Sequence, residues 1–262
     1  MPICVAAFYR FVTIADCLGL QAQLRDACAS RAIVGTVLIA PEGINATIAG
    51  GATEIGNFLD DLQADQRFAR LDIKFSICAD VPFRRLKVKI KPEIVTFGAP
   101  DARPAQRTGT RIAPLDWNAF IADPDVMLID TRNAFEVTAG SFPSAIDPQT
   151  KSFSEFPAFA QARLGELKQK KVAMFCTGGI RCEKASAYLL GLGISEVYQL
   201  DGGILNYLEV VPGEQSRWRG ECVVFDERLT VDQDLRKGAA TPCALCGNPV
   251  TGPVACPHCA SL

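Results

Sequence analysis

Hydrophobic and polar positions over the first hundred residues switch between two periods. CVAAFYRF reads as a strand, and ADCLGLQAQLRDACASR places apolar residues at helical spacing behind Asp16, a side chain suited to capping a helix start. AIVGTVLIA is a continuous β-branched run, and NATIAG, after the turn PEG, is placed to pair with it. TEIGNFLDDLQADQRF reads as a second amphipathic helix and LDIKFSI as a further strand. The order βαββαβ predicts an α+β, ferredoxin-like domain over residues 1–98.

A second pattern runs over residues 113–212. DVMLID is a strand ending in Asp130, FPAFAQARLGELKQKK is helical and KVAMF is a short buried strand. RCEKASAYLLGLG is a helix closed by Gly191 or Gly193, and EVYQLDGG is a strand followed by a turn. Strands alternating with helices predict a parallel α/β domain. Residues 99–112 are a basic linker carrying Pro100 and Pro104, and residues 213–262 form a tail. The tail has one strand-like piece, ECVVFDERL, and a loop-rich end with four cysteines.

With 262 residues and 48 % apolar side chains, the chain is long enough for about two cores. No secretory signal opens it, and no apolar run reaches the roughly 18–20 residues that span a bilayer. The expectation is therefore a cytoplasmic protein with no membrane segment, whose 11 cysteines stay reduced and serve metal binding, catalysis or packing. Cys4, Cys17, Cys28 and Cys78 lie in apolar patterns that mark core positions. The formal charge of −2 favours no particular partner, but residues 81–111 carry eight basic side chains against two acidic ones. Within LKVKIK, a strand puts Lys87, Lys89 and Lys91 on one face.

The stretch KVAMFCTGGIRCEKA holds the densest chemistry. Cys176 falls at the carboxyl end of a predicted parallel strand, where α/β proteins place their ligands. Thr177, Gly178, Gly179 and Ile180 form a loop whose glycines let backbone N–H groups turn inward, and the helix that follows adds its positive end. Such a cradle favours the thiolate, the reactive form of cysteine. Arg181 closes the loop with a permanent charge suited to bracing it and to binding an anion. The sole histidine, His258, lies in the C-terminal cysteine box, so a Cys–His dyad is disfavoured and the amides, helix end and Arg181 are left to activate Cys176. A buried strand-end cysteine beside a tight turn is the plain structural alternative. Cys182, in the first turn of the helix, is open to two readings: packing against the sheet, or a thiol that resolves an oxidised Cys176.

The loop FCTGGIRCEKA resembles the active-site loop of rhodanese-like domains, which runs from a nucleophilic cysteine to an arginine. LIDTRNAFEVTAGSFPSAIDP resembles the preceding rhodanese pattern, with Asp130, Arg132 and Glu136 at matching positions, and LDGGILNY resembles the turn that supports the loop. Ser141 and Phe142 depart from the pattern, since many rhodaneses have His-Ile there. Taken in order, VLIAPEGINATIAG, KVKIKPEIVTFG, LIDTRN, FCTGGIRCEKA and VVFDER resemble the bacterial tRNA uridine hydroxylase group of rhodanese-like proteins. The resemblance implies oxygen-dependent, prephenate-independent formation of 5-hydroxyuridine at the wobble position of tRNA, with molecular oxygen as cosubstrate. It also implies a persulfide-capable cysteine at Cys176, supported by Asp130, Arg132 and Cys182. With tRNA as the implied partner, Arg84, Arg85, Lys87, Lys89 and Lys91 become the expected phosphate-binding surface, and Phe83, Phe97 and Trp218 are aromatics able to stack a base. The rival enzyme is a thiosulfate-type sulfurtransferase using the same Cys176 persulfide without RNA.

In CALCGNPVTGPVACPHC, Cys243 and Cys246 form one C-x2-C knuckle and Cys256 and Cys259 another. Two such knuckles predict a zinc-ribbon-like tail with a closed, structural four-thiolate site, a redox dithiol pair being the alternative. His258, between the last two ligands, is expected to neighbour the site rather than enter it.

Overall fold

A computed structural model describes residues 2–250 together with Cys256 and Cys259. His258 lies outside the described residues. The chain divides into two compact units, Met1–Thr96 and Phe97–Leu262.

In the first unit, β1 (Ile3–Phe11), α1 (Cys17–Ala29), β2 (Val34–Ala40), β3 (Gly43–Gly50), α2 (Ala52–Ala64) and β4 (Ile73–Cys78) follow the predicted order. β5 (Leu86–Ile90) is an added strand, and the sheet order is β4-β1-β3-β2-β5. β3 pairs antiparallel with β1 and β2, the pattern of a ferredoxin-like sheet, whereas β5 runs parallel to β2 at the edge. Period two fixes the inner face: Ala6 and Phe8, Val37 and Ile39, and Ile44, Ala46 and Ile48 are all buried. Against them, α1 buries Leu20, Leu24 and Cys28, and α2 buries Ile55, Phe58, Leu59 and Leu62, at helical spacing. Asp16 caps α1, its carboxylate accepting from the Gly19 N–H at 2.8 Å. Of the four cysteines expected in cores, Cys28 is fully buried, and Cys4 and Cys17 pack half-buried against the same cluster. Cys78, on edge strand β4, is only half-buried.

The second unit begins earlier than the pattern predicts. Phe97 is buried against Phe153 and Tyr188, at ring separations of 4.7 and 5.6 Å. The stretch read as linker contains β6 (Thr110–Ile112), a short edge strand that its exposed Thr110 and Arg111 disguise. After α3 (Pro114–Phe120) come β7 (Val126–Asp130), α4 (Ala134–Ala139), β8 (Gly140–Ser141), α5 (Phe156–Ala162) and α6 (Leu164–Leu167). β9 (Lys171–Phe175), α7 (Ile180–Gly191), β10 (Val197–Leu200) and α8 (Gly203–Val210) complete a parallel sheet of order β6-β10-β9-β7. Gly193, in the left-handed region at φ +84°, lies just beyond the end of α7.

Residues 213–250 belong to this unit. β11 (Arg219–Gly220) pairs with β8, β12 (Cys222–Val223) with β13 (Thr230–Val231), and β14 (Thr241–Pro242) with β15 (Pro249–Val250). Trp218 enters the core: Phe142 meets Phe175, Tyr207 and Trp218 edge to face, at 4.9, 4.9 and 5.2 Å. Phe142, a departure from the rhodanese pattern, is thus the hub of an aromatic cluster. Two of the three aromatics read as base-stackers, Phe97 and Trp218, are core residues, and Phe83 is half-buried.

Candidate active site

β9 lies between β7 and β10 and delivers Cys176 at its carboxyl end. The chain then turns through Gly179, at φ +95°, into α7. This left-handed residue aims its N–H at Cys176 Sγ, 3.1 Å away. Gly179 is the amide hydrogen-bonded to the sulfur, and the N–H groups of Cys182 and Arg181 also favour its thiolate. Burial pushes the Cys176 thiol up, but a hydrogen bond from Cys182, the Arg181 charge and these amides outweigh it and bring the pKa down to about 6. Burial pushes the Cys182 thiol well up, and its hydrogen bond with Cys176 pushes it the same way. Cys182 therefore stays the proton donor of the pair, with Thr131 Oγ1 3.6 Å from its sulfur.

The turn after β10 supports the loop from below. Ile204 and Leu205 donate their N–H groups to the carbonyls of Cys176 and Thr177, at 2.9 and 3.0 Å. Gly203, at φ +69°, passes so close that a Cβ there would sit 2.5 Å from the Cys176 carbonyl oxygen and 2.7 Å from the Gly179 nitrogen. Glycine is required at this position by space as well as by conformation.

Arg181 is committed to bracing. Its Nη1 and Nη2 donate to the two carboxylate oxygens of Glu136 at 2.6 and 2.8 Å, and Nη2 also reaches Thr177 Oγ1 at 3.2 Å. Both partners are buried. Burial opposes ionisation of Glu136, yet the Arg181 charge and hydrogen bonds, with help from Arg132, hold its carboxyl below the usual range. The Nη1 and Nη2 edge of Arg181, the edge that would grip an anion, is directed at Glu136 here. Glu136 also closes a capping box on α4, accepting the Asn133 N–H at 3.1 Å.

Behind this pair sits a second one. Arg132 donates to both oxygens of Asp130 at 2.9 and 2.6 Å, and to the carbonyls of Glu136 and Gly140. Ser141, the other departure from the rhodanese pattern, donates its hydroxyl to Asp130 at 2.8 Å. The guanidinium of Arg132 lies over the Trp218 ring at 5.1 Å.

Cys176 is fully enclosed. Thr177 is within hydrogen-bond reach of the Val223 carbonyl at 3.4 Å, and the Phe225 ring covers the Arg181 guanidinium at 5.9 Å. A sulfur open to substrate is therefore not what this conformation presents, and Val223 and Phe225 border the loop. Neither Glu136 as the partner of Arg181 nor Phe225 was singled out by sequence reasoning, although both stand inside quoted motifs.

A change in the thiol pair has a measurable consequence. Removing the Cys182 donor takes away a hydrogen bond that lowers the Cys176 pKa. The ultraviolet thiolate absorbance of Cys176, read as the difference from Cys176→Ser, should titrate near 6 in the wild type and at distinctly higher pH in Cys182→Ala. An unmoved midpoint would show that the amides and Arg181 suffice.

In the first unit, Arg84, Arg85, Lys87, Lys89 and Lys91 are all exposed. β5 pairs Lys87 with Thr36 and Lys89 with Leu38, so these lysines lie on the sheet face opposite buried Val88. At the end of the chain, the sulfurs of Cys243, Cys246, Cys256 and Cys259 all lie within 4.8 Å of one another. A tetrahedral zinc–thiolate site spaces its sulfurs by about 3.8 Å; the Cys243–Cys259 and Cys246–Cys256 separations are 3.9 and 3.6 Å. The four cysteines thus form a group able to hold a metal ion. Among the described residues, no helix is long and apolar enough to cross a membrane.

A parallel α/β sheet whose inner strand ends in a Cys-to-Arg amide loop defines a rhodanese-like domain, and the family model of that description matches residues 115–209. A second model, the UPF0176 acylphosphatase like domain, matches residues 3–94. Two Synechococcus proteins, from Synechococcus elongatus and Synechococcus sp., are each 53 % identical over 99 % of this chain and 96 % of their own, and both are named tRNA uridine(34) hydroxylase. A Mesorhizobium japonicum protein of the same name is 50 % identical over 98 % of this chain and 87 % of its own. The chain belongs to the tRNA uridine(34) hydroxylase family. Among solved structures, a rhodanese-related protein from Thermoplasma volcanium is 25 % identical over 39 % of this chain and 95 % of its own, with a TM-score of 0.32.

Proposed function

We propose that this protein hydroxylates C5 of the wobble uridine of tRNA, with Cys176 as the nucleophile. The observation that carries the reading is the Cys176 sulfur gathered into converging N–H groups, in a chain alike over nearly its whole length to proteins named for that reaction. In the proposed path the thiolate adds to C6 of the uracil ring, and its electron pair moves through C5 to the O4 carbonyl. The resulting enolate makes C5 the nucleophile that takes oxygen. Loss of the C5 proton then expels the thiolate and restores the ring. Molecular oxygen and a two-electron reductant balance the reaction: one oxygen atom enters the base, and the other leaves as water with two protons. Thr177, Gly178, Gly179 and Ile180 shape the loop, Arg181 fixes it through Glu136, and Asp130 and Arg132 hold the helix that carries Glu136.

Arg84, Arg85, Lys87, Lys89 and Lys91 supply a surface for the tRNA backbone, where aligned cations gain affinity by releasing counterions. Anticodon-loop bases are unpaired, so presenting one costs little. The four-cysteine group takes zinc in a closed site that supports the tail and has no part in the chemistry. Elemental analysis of the purified protein should find about one zinc per chain, lost with Cys246→Ser; a metal-free wild type with Cys243–Cys246 or Cys256–Cys259 disulfides would favour a dithiol pair instead.

The test is nucleoside mass spectrometry of an unmodified tRNA transcript incubated with purified protein, oxygen and a reductant. Oxygen-dependent 5-hydroxyuridine confined to the wobble position is expected. Rapid thiocyanate formation from thiosulfate and cyanide, with no change in the RNA, would make the protein a sulfurtransferase.

A further inference from the structure

We propose that Phe225 is the platform on which the unpaired pyrimidine presented to Cys176 stacks. The inference rests on the RNA reading above and names the residue through which that site holds a base. The aromatic side chains packed beneath the loop, Phe142, Phe175, Tyr207 and Trp218, are interior, whereas Phe225 is 66 % exposed. An exposed phenylalanine forgoes hydrophobic stabilisation, and the chain fixes this one in place.

The Asp226 side chain is buried and accepts from the Arg228 N–H at 3.0 Å, while the Arg228 guanidinium returns to it at 2.9 and 2.6 Å. Val224 donates to the Leu229 carbonyl at 2.9 Å, and Leu229 to the Asp226 carbonyl at 3.1 Å. The turn is closed on itself and holds Phe225 at its rim. The ring rests on the Arg181 guanidinium at 5.9 Å, which places it over the arginine end of the cysteine loop. Two residues earlier, the Val223 carbonyl meets Thr177.

One aromatic ring on a charged base is too small an apolar area for a protein interface, but it matches the face of a single nucleobase. Stacking tolerates any base and gains from an aromatic surface beside a cation. The ring also borders the arginine end of the loop that carries the nucleophile.

Phe225→Trp in the full chain tests the contact directly, because the two native tryptophans, Trp117 and Trp218, are buried. Its fluorescence should be quenched saturably by an anticodon stem-loop RNA with uridine at the wobble position, and several-fold less by a blunt RNA duplex. Phe225→Ala should bind that stem-loop on the order of tenfold or more weakly, Phe225→Tyr should restore binding, and Phe225→Leu should not. The melting temperature of Phe225→Ala should match the wild type, since the side chain is exposed. No quenching in Phe225→Trp, or wild-type affinity in Phe225→Ala, overturns the proposal. If the wild type makes 5-hydroxyuridine and Phe225→Ala binds normally, stacking alone fails. If Phe225→Trp is quenched and the wild type makes no 5-hydroxyuridine, the hydroxylation reading fails and the stacking contact stands.

Discussion

A Cys176→Ala protein is expected to bind tRNA and leave its wobble uridine untouched. Several groups converge on one sulfur: the N–H groups of Gly179, Arg181 and Cys182, the Cys182 thiol and the Arg181 charge. Against full burial they hold its pKa at about 6, so near neutral pH the thiolate predominates. Alanine removes the only atom the cradle serves. Cys176→Ser keeps an oxygen there, but an ordinary hydroxyl stays protonated at neutral pH and should be nearly as inactive. Nucleoside mass spectrometry reads the product, and a filter or gel-shift assay reads tRNA binding separately. Wild-type amounts of 5-hydroxyuridine from Cys176→Ala would remove the sulfur from the reaction.

The second large effect is expected at Glu136. This carboxylate is the bidentate partner of Arg181, and both are enclosed. Glu136→Ala leaves a buried guanidinium without its partner, a change that typically costs about 3–5 kcal/mol. A loss of unfolding free energy of that order, read from urea denaturation, is expected, with the cysteine loop losing its brace. Glu136→Gln keeps the shape and removes the charge, so it should fold better than Glu136→Ala.

The pair also predicts a pH dependence. The folded-state pKa of Glu136 is depressed, so its contribution to stability is fully present above the ordinary glutamate range and is lost as pH falls through the folded value. The acid limb of urea midpoint against pH should therefore be steeper in the wild type than in Glu136→Gln. Identical limbs would show that Glu136 ionisation is not linked to folding.

Much of this was legible in the sequence, for reasons that differ from element to element. The βαββαβ order follows from alternation in CVAAFYRF and helical spacing of Leu20, Leu24 and Cys28, both direct images of burial. The cysteine loop was legible because Gly-Gly and a following helix leave few backbone routes. The ion pairs were not, because nothing in one dimension says that Arg181 turns to Glu136, forty-five residues earlier, rather than to a ligand.

Phe225 was hidden for another reason. ECVVFDERL has strand-like composition throughout, yet the strand stops at Val223, because Asp226 captures the backbone and guanidinium of Arg228 and bends the chain. β6 escaped notice because three residues at an exposed edge leave no apolar pattern to read. The exposed face of LKVKIK was legible in full: Lys87, Lys89 and Lys91 alternate with Val88, and only Val88 is buried.

The strand β11 and Trp218 set the boundary of what can be cut. The rhodanese-like match ends at residue 209, but Phe142 and Phe175 complete their packing only with a ring supplied by Trp218. A fragment trimmed to the matched residues would leave the β8 edge unpaired and open a hole in its own interior. Expression of this unit as an autonomous piece therefore calls for a carboxyl end beyond Val231, the last strand of the hairpin that closes over the loop.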